Sequence, residues 1–89
     1  MYEARVEVRN DPGIHARPAA ILVQTASRFS SEIHVATEAL EVNAKSIMGV
    51  MMLAAETGTL LTIRAQGSDE RAAVEALVRL IEARFEIEA

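Results

Sequence analysis

The chain contains no cysteine and no tryptophan, and aromatic residues make up only 3% of it. Without cysteine there is no disulfide stapling and no thiolate chemistry. A domain of this size without disulfides fits the cytoplasm better than an oxidising compartment. Two histidines and no cysteine leave a structural zinc site without its usual ligands, so no metal is expected. Positive charge is also scarce: 9 Lys and Arg stand against 13 Asp and Glu, for a net charge of −4. The basic residues are scattered and lack interleaved aromatics, so no stripe for direct nucleic-acid binding exists. No apolar run approaches the ~20 residues that would span a bilayer. The segment Met1-Tyr2-Glu3-Ala4-Arg5 alternates like a strand and has no apolar signal-peptide region. A soluble, cytoplasmic protein without direct membrane contact is expected.

What is present is enough for one aliphatic core. The 89 residues are 51% hydrophobic, mostly Val, Leu, Ile, Ala and Met. A single domain over 1–89 is expected, burying roughly 60–65% of its unfolded surface. Tyr2, Ala4, Val6 and Val8 alternate with Glu3, Arg5, Glu7 and Arg9, the period of a half-buried strand. Asp11-Pro12-Gly13 ends that strand in a turn. From Ala16 to Phe29 the spacing becomes helical, with Ala19, Leu22, Val23 and Ala26 on one face. Pro18 is tolerated only in the first helical turn, so the helix starts within a residue or two of His15. Strand patterns follow at Glu32–Ala36 and Leu40–Asn43, joined by a tight turn at Thr37-Glu38-Ala39. Ser46 is placed to cap a short helix, weakened by Gly49. A fourth strand covers Leu60–Ala65. Gly67-Ser68-Asp69-Glu70 then starts a long last helix, with serine or aspartate as cap, an apolar stripe of Val74, Leu77, Val78 and Ile81, and a Glu75–Arg79 pair on its wet face. The order β-α-β-β-α-β-α predicts an α+β, open-faced two-layer sandwich. A four-stranded antiparallel sheet would be covered on one face by three helices.

The segment Gly13-Ile14-His15-Ala16-Arg17-Pro18-Ala19-Ala20 carries the chemistry. Histidine is among the side chains that form covalent intermediates. The positive end of a helix favours the uncharged ring, the form able to attack phosphorus. First-turn N–H groups lack intrahelical partners and suit an anion. Pro18 has no N–H, so Ala16 and Arg17 are the expected backbone donors, and the Arg17 guanidinium adds a charge-assisted contact to phosphate oxygens. Small residues at Ala16, Ala19 and Ala20 leave room for a partner's active site. No Walker-type loop, kinase lysine or metal-holding motif accompanies the histidine. A carrier relying on its partners fits better than a catalyst acting alone. From the residues alone, His15 is open between this role and a merely exposed structural histidine. His34 alternates out of a strand and is read as structural.

Two further features stay open on the residues alone. Ser46 is a helix cap and also a candidate phosphorylation site, since a phosphoserine is tolerated at a helix N-terminus. Ile47, Met48, Met51 and Met52 belong either to the core or to an adaptable docking patch, for which methionine is suited. A regulatory module set at Ser46, and a small enzyme using His15 as a base, are the competing functions.

Gly13-Ile14-His15-Ala16-Arg17-Pro18-Ala19 resembles the active-site motif of the HPr family, histidine-containing phosphocarriers of the phosphoenolpyruvate-dependent sugar phosphotransferase system. Lys45-Ser46-Ile47-Met48-Gly49-Val50-Met51 resembles that family's regulatory serine region. The resemblance covers essentially the whole chain and implies an open-faced β-sandwich. It implies that His15 takes a phosphoryl group from Enzyme I on Nδ1 and passes it to IIA domains of sugar permeases, with Arg17 assisting. No cofactor and a monomer are expected. Ser46 would be the target of an HPr kinase/phosphorylase, weakening Enzyme I docking and recruiting a catabolite-control transcription regulator. Ala20, Gln24, Ile47, Met48 and Met51 fall where family members bind partners. Members that keep the serine and lose the histidine exist; this chain has both. It departs from many members at Pro12, where a small polar or alanine residue is common. It also departs along the first helix, where Gln24, Ser27 and Arg28 replace a more lysine-rich face.

Overall fold

The structure is a computed structural model, and it describes residues 1–86. Seven elements follow in order: β1 (Tyr2–Glu7), α1 (Ala16–Ala26), β2 (Glu32–Ala36), β3 (Glu41–Asn43), α2 (Ile47–Met52), β4 (Leu60–Gln66) and α3 (Glu70–Glu82). The strands form one antiparallel sheet in the order β1-β4-β2-β3. Side chains alternate between the faces of a strand, and the register stacks like with like. Ala4 lies opposite Ile63, Val6 opposite Leu61, and Val35 opposite Ile63 on the buried face.

That face meets the helices. α3 packs on β1, β4 and β2, α1 lies beside α3, and α2 packs against α1 and β3. Leu22, Ile33, Val35, Leu61, Ile63, Leu77 and Ile81 are fully buried between the layers. The other face is open. There Arg64 of β4 links the adjacent β1 to β3, one strand beyond β2, with Nε 2.7 Å from Glu3 of β1 and a terminal nitrogen 2.8 Å from Glu41 of β3. Both carboxylates hold the guanidinium pKa above its ordinary value, Glu3 more strongly. The expected α+β sandwich is the observed one.

Several local expectations are corrected. α1 ends at Ala26 rather than Phe29. The next residues tighten into i→i−3 bonds, from Arg28 N–H to Thr25 O and from Phe29 N–H to Ala26 O. The tightened turn delivers the Phe29 carbonyl to the Lys45 ammonium at 2.7 Å and the Ser30-Ser31 amides to Asp69. β3 begins at Glu41, because the Leu40 carbonyl closes the turn by accepting from Thr37 N–H, and the Leu40 side chain is exposed. Asp69 occupies the N-cap position of α3, yet its side chain makes no capping bond. Its carboxylate reaches across to accept from Ser30 and Ser31, through both amides and both hydroxyls. Those bonds, the Ser31 hydroxyl first, lower its pKa to about 2. Glu75 pairs backward with Arg71 at 3.1 Å, not forward with Arg79. The Arg71 guanidinium is already held 5.6 Å from the centre of the Tyr2 ring, one helical turn before Glu75.

α3 stops in a 6→1 turn. Phe85 N–H donates to the Leu80 carbonyl at 2.9 Å, and Arg84 sits at φ +59, the left-handed position that usually goes to glycine. Phe85 follows at φ +60 and is buried. Left-handed backbone costs a residue with a Cβ about 1–2 kcal/mol. Burying a phenylalanine side chain, worth roughly 1.5–3 kcal/mol, offsets that cost.

Candidate functional site

His15 is the N-cap of α1, with extended backbone at φ −100 and ψ −166 and an exposed ring that makes no capping bond. It owes this position to a clamp made before it. Gly13 is buried at φ +111, and a Cβ there would lie 2.5 Å from the Ala55 carbonyl oxygen and 2.8 Å from Glu56 Cα. Only glycine lets the two backbones approach so closely. Ile14 N–H then donates to the Ala55 carbonyl at 2.8 Å, and the buried Ile14 side chain anchors the residue next to His15. The Asn10 amide donates to the Gly13 carbonyl at 2.6 Å, and the Thr57 hydroxyl donates to the Asn10 carbonyl at 2.6 Å. The turn before the helix is thus stitched to the loop after α2.

Past His15 the helix begins at once: Ala19 N–H donates to the His15 carbonyl at 2.9 Å. The Ala16 and Arg17 N–H groups have no backbone acceptor among the described residues, as expected for a first turn. Pro18 contributes no donor and is buried. Arg17 is exposed and enters no ion pair among the described residues. An exposed imidazole, two amide donors and a free guanidinium therefore share one end of one helix. This constellation can hold a phosphoryl-sized anion against a nucleophile.

His15 and Arg17 open onto a groove of about 450 Å³. Its far wall comes from the turn after α3, with Arg84, Phe85 and Glu86. The linear sequence did not point to these residues, since no local pattern ties the end of the last helix to the start of the first. The apolar Phe85, outside the helical stripe, was the one available signal that the chain folds back there.

Ser46 is the N-cap of α2, and its hydroxyl accepts from Gly49 N–H at 3.1 Å. The short helix buries Val50 and turns the rest of its apolar side chains outward: Ile47 is 47% exposed, Met48 75%, Met51 43% and Met52 65%. Of the two residues on α1 expected to bind partners, Gln24 is exposed and Ala20 half-buried. His34 stands half-buried on the open sheet face, opposite Arg64. Among the described residues no group of three potential ligands could hold a metal ion. No described helix is long and apolar enough to cross a membrane.

Fold and site together define a small open-faced sandwich with an exposed histidine at the mouth of its first helix. Comparison with known proteins gives this class its family. The family profile described as "PTS HPr component phosphorylation site" matches residues 2–83. The phosphocarrier protein HPr of Xylella fastidiosa (strain Temecula1) is 52% identical over 85 residues, covering 96% of each chain. The HPr-like protein Crh of Halalkalibacterium halodurans is 50% identical over 82 residues, covering 92% of this chain and 98% of its own. Among solved structures, HPr of Thermoanaerobacter tengcongensis is 50% identical, with a TM-score of 0.93 and full coverage of both chains. Crh of Bacillus subtilis, crystallised as a domain-swapped dimer, is 46% identical with a TM-score of 0.76, covering 98% of this chain and all of its own. The chain belongs to the HPr phosphocarrier family of the phosphotransferase system, a family of carriers that act with partner proteins.

Proposed function

We propose that residues 1–89 work as one phosphocarrier domain in which His15 carries the phosphoryl group. The observation that supports this most is the exposed His15 ring beside two unpartnered amides and the Arg17 guanidinium. Phosphoryl transfer needs little beyond positioning and charge stabilisation. The His15 Nδ1 lone pair forms the new N–P bond while the N–P bond of a phosphohistidine on Enzyme I breaks. The electron pair of the broken bond returns to the donor imidazole. The same exchange in reverse sense passes the group to a histidine of an IIA domain. Ala16 N–H, Arg17 N–H and the Arg17 side chain hold the phosphoryl oxygens throughout. The chain supplies no catalysis of its own and needs no cofactor for this step.

Ser46 is the regulatory site in this reading. A phosphate on its hydroxyl would add roughly two negative charges next to Ile47, Met48 and Met51. With Ala20 and Gln24 these side chains form the surface that meets Enzyme I and IIA domains. Desolvating a dianion there opposes docking of an apolar patch. The likeness to Crh of Bacillus subtilis, a catabolite repression protein, supports a role in carbon catabolite regulation, with an HPr kinase/phosphorylase and a catabolite-control regulator as the further partners. The protein acts as a cytoplasmic monomer.

The test is incubation with phosphoenolpyruvate and catalytic Enzyme I. One acid-labile, base-stable phosphoryl group is expected on His15, and none on His15→Ala, whose circular dichroism should match the parent. Label on another residue, or none, refutes the carrier role.

A further inference from the structure

We propose that Arg84 supplies a second guanidinium to the phosphoryl group on His15; this rests on the carrier role of His15 argued above. Arg84 lies far along the chain from Arg17, yet both line the groove that His15 opens onto. Its placement is fixed by the fold. The Phe85 N–H to Leu80 carbonyl bond closes the turn, and the buried Phe85 ring pins the segment to the core. Arg84 occupies the left-handed position of that turn at φ +59. Glycine satisfies such a position without strain, so an arginine there is unfavourable to the turn itself. Backbone strain kept next to a reactive group is a pointer to function.

The charges in the groove support the same role. Asp11 and Glu86 line the groove together with Arg17 and Arg84, and neither arginine forms an ion pair among the described residues. The groove thus holds two arginines and two acidic residues. An incoming phosphoryl group with its two negative charges then finds two guanidinium groups without an ion-pair partner among the described residues, each able to bind two oxygens at once. Arg17 approaches from the helix that bears His15, and Arg84 from the opposite wall.

The decisive variant is Arg84→Gly, because a purely structural role and a phosphoryl-binding role predict opposite signs. Glycine relieves the left-handed strain, so the urea midpoint should rise or stay level. The second-order rate of transfer from phospho-Enzyme I should nevertheless fall roughly tenfold, the scale of one charge-assisted contact at a partly solvated site. Arg84→Lys should recover part of the loss. In the parent protein the Arg84 Nε–H resonance should shift when His15 is phosphorylated. Wild-type transfer rates in Arg84→Gly, or an Arg84 resonance unmoved by phosphorylation, would overturn the assignment while leaving the carrier role intact. A parent protein that accepts no label at His15 would overturn both.

Discussion

Replacing Gly13 with alanine tests how far the site depends on the clamp beneath it. The magnitude follows from one backbone conformation and the contacts around it. Holding a residue with a Cβ at φ +111 costs about 2 kcal/mol. The new Cβ would lie 2.5 Å from the Ala55 oxygen, a backbone atom that no rotamer change can move aside. The turn must lift, and the Ile14 N–H bond to that same oxygen is lost, costing about 1 kcal/mol. The total is about 3 kcal/mol before any exposure of Ile14. A domain of this size has about 4–13 kcal/mol in all. With a urea m-value of about 1.5 kcal/mol/M, the midpoint should drop by about 2 M. Gly58→Ala is the internal control. It also has positive φ, +92, but nothing lies within 4 Å of its Cβ, so it should lose about 1–2 kcal/mol from the backbone alone. Urea unfolding gives both values, and labelling by Enzyme I reports the site. Gly13→Ala should also slow His15 phosphorylation, whereas Gly58→Ala should not. Equal stability losses in the two variants would refute the steric clamp. Wild-type labelling of folded Gly13→Ala would refute its part in aiming His15.

Asp69 has a pKa of about 2 in the fold, below its ordinary 3.8, so its contribution is present above pH 4 and lost as pH falls towards 2. Asp69→Asn should remove that part of the acid dependence, which urea midpoints between pH 7 and 2 will reveal; an unchanged pH profile argues against the serine clamp. Ser46→Asp should slow transfer from Enzyme I with the thermal midpoint nearly unchanged, since aspartate is itself a good N-cap; unaltered transfer kinetics would count against regulation at this position. Met48 is 75% exposed, so Met48→Glu should change stability by less than about 0.5 kcal/mol while raising the KM of Enzyme I for the protein. An unchanged KM would remove Met48 from the docking surface.

The elements that local patterning could define were legible in the sequence. β2 runs over the expected Glu32–Ala36, because inward Ile33 and Val35 alternate cleanly with Glu32 and His34. Pro18 located the start of α1, and with it the N-cap position of His15. Ser46 announced α2 by its capping chemistry. The misread features depend on partners distant in sequence. Asp69 has the composition of a cap, but its carboxylate serves amides 38 and 39 residues away. Glu75 pairs with Arg71, whose guanidinium lies over the ring of Tyr2 on the first strand. Leu40 fits a strand pattern and is nonetheless spent on closing a turn. The far wall of the His15 groove was the largest omission. Nothing near Arg84 in the sequence marks a site, and only the packing of Phe85 brings it there.

Amide spectra of the isotope-labelled protein, before and after phosphorylation by Enzyme I, test the central claim most directly. The Ala16 and Arg17 N–H signals should move downfield by the largest amounts in the chain, with the phosphorus signal assigned to His15 Nδ1. A phosphorylated protein whose largest shifts lie elsewhere, with those two amides unmoved, would contradict the account.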